Sequence, residues 1–203
     1  MRSDNSFLER TVSMLGIMPI IKIESGKIIV TDPIFEDDKP IIFDAMNGEW
    51  GYTLGTMPDI DPITNKMYGY RVGGLSLSYK NFDNFPVVKF IKNVGEIAIE
   101  SASIGIFDAE KFDEIKLAIT QNGYARFNKV YNTGLGQEAQ GLEPWKDYVF
   151  DAVNERCVTP YFSHGILSKT GYGDGSYPIS VGLTVDNGML KVCHIAITFI
   201  EEE

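Results

Sequence analysis

Thiols and imidazoles are scarce here: two cysteines and two histidines among 203 residues. All four, Cys157, His164, Cys193 and His194, fall in the last quarter of the chain, which raises a zinc site. The spacing argues against it. Cys193 and His194 are neighbours on what reads as a strand and would point to opposite faces. No C-x-x-C or H-x-x-x-H pair accompanies them, so no bound metal and no disulfide framework are expected. Reduced thiols in a cytoplasm are the simpler reading. A G-x-S-x-G elbow is also missing. Ser163-His164, adjacent on a predicted strand, would not normally face each other, so no nucleophile–base pair is expected.

Basic residues are outnumbered, 18 against 28 acidic, for a formal charge of −10. Such a surface repels phosphate backbones and disfavours nucleic acid as a partner, while it suits a cytoplasmic protein or one that meets a basic protein partner. No stretch approaches the roughly 18 apolar residues of a membrane helix. The run Met14 to Ile21 is broken by Gly16 and Pro19 and lacks a cleavage site, so no signal peptide is expected. No internal repeat, low-complexity tract or linker-like shift is evident. Residues 1–203 read as a single globular domain.

What is present is mainly β. Asn187-Gly188 lies between the apolar runs Ile179 to Val185 and Met189 to Phe199 and predicts a type I′ hairpin. Cys193, Ile195, Ile197 and Phe199 alternate as a core face, with His194 opposite. Tyr161 to Ser168, Tyr177 to Val185 and Met189 to Ile200 are thus expected as a three-stranded antiparallel meander around Gly171 to Pro178.

Upstream, Ile17 to Ile23 and Lys27 to Thr31 read as strands with a hairpin turn at Glu24-Ser25-Gly26. Ile41 to Ala45 and Glu49 to Leu54 read as strands joined at Asn47-Gly48. Arg71 to Tyr79, Val87 to Ile91 and Glu96 to Ile99 are further candidates, and Thr56 to Tyr68 reads as a surface loop. Asp108 is placed as the N-cap of a helix burying Phe112, Ile115 and Ile119, stopped at Asn122-Gly123. Asn132 to Pro144 reads as a loop, followed by a short helix to Val153 carrying Trp145, Tyr148 and Val149. The fold class is α+β, mainly antiparallel sheet with one or two short helices.

Chemistry could sit only on dispersed carboxylates. Asp32, Glu100, Asp108 and Asp174, with Asp44 nearby in type, fall at predicted strand ends, where side chains can converge to bind a ligand or act as an acid–base pair. Turn formation and capping explain Asp32, Asp108 and Asp174 equally well. The loop Gly171-Tyr172-Gly173-Asp174-Gly175-Ser176 lacks the lysine of a phosphate loop and the spaced carboxylates of a calcium loop. Its glycines would instead leave backbone N–H groups for Asp174 to accept.

Three segments, Ser25 to Pro33, Ile97 to Asp108 and Gly171 to Pro178, resemble a family of uncharacterised bacterial proteins, domain of unknown function 4241. The likeness covers most of the chain from about Ile20 onward. In the middle segment Glu100-Ser101-Ala102 stands where the family pattern has Asp-Ser/Ala-Gly. The resemblance implies a shared fold and carries no functional residue. The expectation is a non-enzymatic binding or regulatory protein acting on a protein partner, without a cofactor. The rival is a metal-dependent or acid–base enzyme using the four carboxylates at one end of the sheet.

Overall fold

The computed structural model describes residues 20–35, 39–80, 89–122, 144–156 and 158–200. Eleven strands and two helices run in the order β1 (Ile20–Ile23), β2 (Lys27–Thr31), β3 (Ile41–Asp44), β4 (Gly48–Ile60), β5 (Met67–Tyr79), β6 (Lys89–Ile99), β7 (Ser103–Asp108), α1 (Phe112–Asn122), α2 (Pro144–Arg156), β8 (Val158–Phe162), β9 (Gly165–Lys169), β10 (Gly175–Asp186) and β11 (Met189–Thr198). They form a six-stranded sheet, β1-β4-β5-β11-β10-β6, and a five-stranded sheet, β3-β2-β7-β9-β8. All neighbouring strands are antiparallel, in keeping with the α+β expectation.

Period-two patterning explains the layers. Leu75, Leu77, Ile195 and Ile197 of the larger sheet meet Ile28, Val30, Ile104, Ile106 and Ile166 of the smaller one in the main core. The other face of the smaller sheet, with Ile29, Phe107 and Leu167, packs under Ile115, Ile119, Trp145, Val149 and Val153 of the helices. Strand β7 is covered on both sides and all six residues are buried.

The larger sheet reads the same from either end, and so does the smaller one apart from β8, because the chain contains two copies of one β unit. Ile21-Lys22-Ile23-Glu24-Ser25-Gly26-Lys27-Ile28 with Asp32 recurs, at identical spacing, as Ile97-Ala98-Ile99-Glu100-Ser101-Ala102-Ser103-Ile104 with Asp108. β1 then corresponds to β6, β2 to β7, β3 to β9, β4 to β10 and β5 to β11. Register supports the match strand by strand. Ile21 pairs with Trp50 and Ile97 with Tyr177. Trp50 meets Tyr79, and Tyr177 meets Phe199, each edge to face. Gly55 and Thr56 lie opposite Gly74 and Val72, leaving Gly73 as a bulge; Gly182 and Leu183 lie opposite His194 and Val192, leaving Cys193 as the same bulge. Even the ion pairs correspond: Arg71–Asp59 at 2.9 Å and Lys191–Asp186 at 3.2 Å. A pseudo-twofold axis therefore passes between β5 and β11 and between β2 and β7. No repeat was expected, although this shared Ile-x-Ile-Glu-Ser pattern followed by Ile and Asp was its visible trace in the sequence.

Several local expectations change accordingly. Glu24-Ser25-Gly26 is not a hairpin but a corner that carries the chain from one sheet to the other, and Asn47-Gly48 likewise separates strands of different sheets. The Asn187-Gly188 hairpin stands, with φ of 50° and 80°. Its expected third strand does not: Tyr161 to Ser168 divides at Ser163-His164 into β8 and β9, which belong to the smaller sheet. Thr56 to Ile60 and Met67-Tyr68 are strand rather than loop. Cys193, Ile195, Ile197 and Phe199 are buried as expected. Residues 17–19, 36–38, 87–88, 123 and 132–143, and Cys157, lie outside the described residues.

The ring of Phe107 lies over Gly105 and Gly165, filling the space a Cβ at either would need. Gly165→Ala is expected to destabilise the protein by about 1–3 kcal/mol through overpacking, read from denaturant unfolding.

Candidate functional site

Each corner that links the sheets exposes backbone N–H groups in a crowded place, and a buried carboxylate meets them. At the first corner Asp108 Oδ2 accepts from Glu24 N at 2.5 Å and Ser25 N at 2.8 Å, while Oδ1 accepts from Glu110 N at 3.0 Å. At the second, Asp32 Oδ2 accepts from Glu100 N and Ser101 N, both at 2.9 Å. Its Oδ1 accepts from Ile34 N at 2.8 Å, Phe35 N at 3.2 Å and Ser101 Oγ at 2.7 Å. Gly26 and Ala102, in left-handed backbone with φ of 73° and 54°, complete the two turns. Their carbonyls accept from Ala45 N at 2.8 Å and Thr170 N at 3.1 Å.

This decides the roles of the candidate carboxylates. Asp32 and Asp108 are 2% and 0% exposed, and their oxygens are engaged by the protein itself. Pairing of Ile28 with Asp108 and Thr31 with Gly105 puts them at opposite ends of β2 and β7, on the order of 14 Å apart. They do not converge. Asp108 is not the N-cap of α1, which begins four residues later at Phe112. Burial pushes its pKa up, but bonds from Ser25, Glu24 and Glu110 outweigh burial and hold it below the ordinary carboxylate value. The side chain of Glu100 is exposed, and only its backbone joins the corner. Asp44 is exposed at the end of β3.

Asp174 is exposed and accepts no hydrogen bond among the described residues. The Gly-rich loop is instead held by Thr170 Oγ1 and Tyr177 Oη, each donating to Gly173 O at 2.5 Å, and by Gly173 N donating to Thr170 O at 2.8 Å.

Ser163 and His164 sit in the β8–β9 turn rather than on a strand, and there they do meet. Ser163 Oγ is 2.8 Å from His164 Nδ1, and His164 Nε2 lies 3.4 Å from Glu24. The order serine, histidine, carboxylate is that of a hydrolase relay, but Ser163 is exposed and lines neither of the surface depressions described below. The turn's backbone is engaged structurally: Ser163 O accepts from Lys22 N and His164 O from Asp108 N. His194 contacts Ser78 Oγ through Nδ1 at 2.8 Å, and burial lowers its pKa. Cys193 is buried, and burial raises its pKa, keeping it a thiol. No group of three metal-ligating side chains occurs, and no helix is long and apolar enough to cross a membrane, among the described residues.

Two shallow depressions lie beside the corners. One, of about 400 Å³, is lined by Lys22, Glu24, Asn47 and Glu49; the other, of about 290 Å³, by Arg71, Ser101, Phe150, Lys169 and Tyr172. The cations of the second invite an anion, yet Arg71 is engaged by Asp59 and by the face of Tyr172, 4.9 Å from the ring centre. The equivalent Lys191–Asp186 pair marks that engagement as a feature of the fold.

The most exposed apolar surface lies elsewhere. β4 and β5 continue past the bulge as a two-stranded ribbon whose outer part carries Ile60, Ile63, Met67, Tyr68 and Tyr70, with Ile63 92%, Tyr70 71% and Tyr68 62% exposed. The equivalent hairpin closes directly at Asn187-Gly188, so residues 60–68 are an addition that the fold does not require. Reading Thr56 to Tyr68 as a loop from its prolines and aspartates hid this; the apolar residues among them were the available signal. No family model, curated protein or solved structure matches the chain.

Asp32→Asn and Asp108→Asn each turn an amide donor toward backbone donors and are expected to cost about 1–3 kcal/mol. Glu100→Ala and Asp174→Ala should stay within about 0.5 kcal/mol. Chemical unfolding of the four variants separates the pairs.

Two pH windows follow. Asp108, with its folded pKa below 3.8, stabilises the protein above that value, and the contribution is lost as pH falls below it. His194, with its folded pKa below 6.5, resists protonation in the native state, so stability declines as pH falls from 6.5. Melting temperature between pH 7 and 5 should therefore fall less in His194→Gln than in the wild type.

Proposed function

We propose that the chain is a bacterial, cytoplasmic, non-enzymatic protein that binds a protein partner, and that the outer β4–β5 ribbon is its contact element. The observation that carries this reading is the apolar extension at residues 60–68, absent from the equivalent hairpin of the same fold. Tyrosines and aliphatic side chains on a protruding ribbon supply large contact area at little conformational cost, and tyrosine is enriched among residues that dominate binding energy. The charge of −10 favours a partner with a basic face. The rival acid–base or metal enzyme gains no support from Asp32 and Asp108, which lie apart with their oxygens engaged by backbone donors. Membership of domain of unknown function 4241 belongs to the same proposal. Two of the three similar segments build the corners, and the third forms the loop beside the second corner.

The test replaces residues 60–68 by Asn-Gly, copying the hairpin at 187–188. This variant should fold, with a melting temperature close to that of the wild type. Quantitative capture from a bacterial extract should show a partner whose affinity falls at least about tenfold with the shortened ribbon, a loss of about 1.4 kcal/mol. Binding should also weaken as salt is raised. Equal capture by both chains would remove the ribbon from the interface.

A further inference from the structure

The pseudo-twofold leaves one strand position in the smaller sheet without an occupant among the described residues. In the second half, β9 pairs on one side with β7 and on the other with β8, through Val158 to Ser168 and Thr159 to Leu167. Its counterpart β3 pairs with β2 and, among the described residues, ends the sheet. The correspondence is set by equivalent pairs, Lys27 with Asp44 and Ser103 with Lys169, which align Ile41 with Ile166 and Ile42 with Leu167. Leu167 is 1% exposed beneath the helices, whereas Ile42 is 56% exposed. β8 also lies on the side of the sandwich where Lys22 of β1 bonds to Ser163. On the opposite side Ile41 lies against Gly95 of β6.

We propose that the free edge of β3 takes up an extended strand from a protein partner, in the position that β8 occupies beside β9. Sheet edges are natural templates for an added strand, with main-chain bonds giving affinity and alternate side chains giving specificity. Ile41-Ile42-Phe43 forms an uninterrupted apolar edge, and Lys39-Pro40 on one side and Asp44 on the other confine the added strand to a short register. The charge also selects the occupant. Lys169 ends β9 whereas Asp44 ends β3, so the incoming strand should carry a basic residue opposite Asp44. A second copy is disfavoured because both chains would carry −10. β3 and the ribbon belong to different sheets, so this inference does not depend on the ribbon's role.

The probe is a synthetic peptide of residues 156–163, the chain's own β8 with flanking residues. Laid on β3 as Val158 and Thr159 lie on Ser168 and Leu167, the peptide would set its second residue opposite Asp44, so that residue is made lysine in one peptide (Cys157→Lys) and glutamate in another (Cys157→Glu). Titrated to about 1 mM into the isotope-labelled full chain, the lysine peptide should shift the amides of Ile41 to Asp44 saturably, and bind about threefold more tightly than the glutamate peptide. Ile42→Lys, at an exposed position that leaves the remaining amide spectrum unchanged, should abolish those shifts. The chain with the shortened ribbon should bind the peptide as the wild type does, so the two proposals can fail separately. No saturable shift at Ile41 to Asp44, the same shift in Ile42→Lys, or its loss on shortening the ribbon would overturn the assignment.

Discussion

Each half of this protein supplies the carboxylate that completes the other half's corner. Asp108, at the end of the second half's central strand, holds the Glu24-Ser25 corner of the first, and Asp32 returns the arrangement at Glu100-Ser101. Burying two carboxylates costs heavily unless their oxygens are met, and backbone N–H groups at a sheet-switching corner are costly to bury unless an acceptor meets them. Bringing donors and acceptors together removes both penalties. Neither half can do this alone, so separating them would strand a charge and an orphaned corner in each. The main core has the same character, since both sheets draw strands from both halves.

Local patterning revealed the elements but not their sheet membership. β2, the Asn187-Gly188 turn, the inward face Cys193-Ile195-Ile197-Phe199 and the buried Ile115 and Ile119 of α1 were legible because each depends on spacing within a few residues. Glu24-Ser25-Gly26 and Asn47-Gly48 carry the same turn chemistry whether the chain doubles back in one sheet or crosses to another. The difference lies in which distant strand completes the hydrogen bonds, and spacing contains no record of that. Asp32 and Asp108 were legible as polar residues at strand ends. Their partners at the corners, more than sixty residues away, were not.

The duplication also shows which features belong to the fold and which do not. Arg71–Asp59 and Lys191–Asp186 occur in both halves, as do the bulges at Gly73 and Cys193 and the two edge-to-face aromatic pairs. Such paired features need no explanation beyond packing. Thus Arg71 beside the second corner does not by itself make an anion site, even in a cleft that also contains Lys169.

Among the described residues the largest differences between the halves are these. The segment containing α1, α2 and β8 follows β7 and covers the smaller sheet; the ribbon extends β4–β5; and β3 keeps the edge that β9 has lost to β8. The first difference buries Phe107 and Leu167 and so has a structural reason. The other two expose apolar side chains that the equivalent positions either lack or cover. Exposure of that kind lowers stability relative to the closed alternative already present in the same molecule, which makes the ribbon and the β3 edge the places where a binding partner would account for the departure from symmetry.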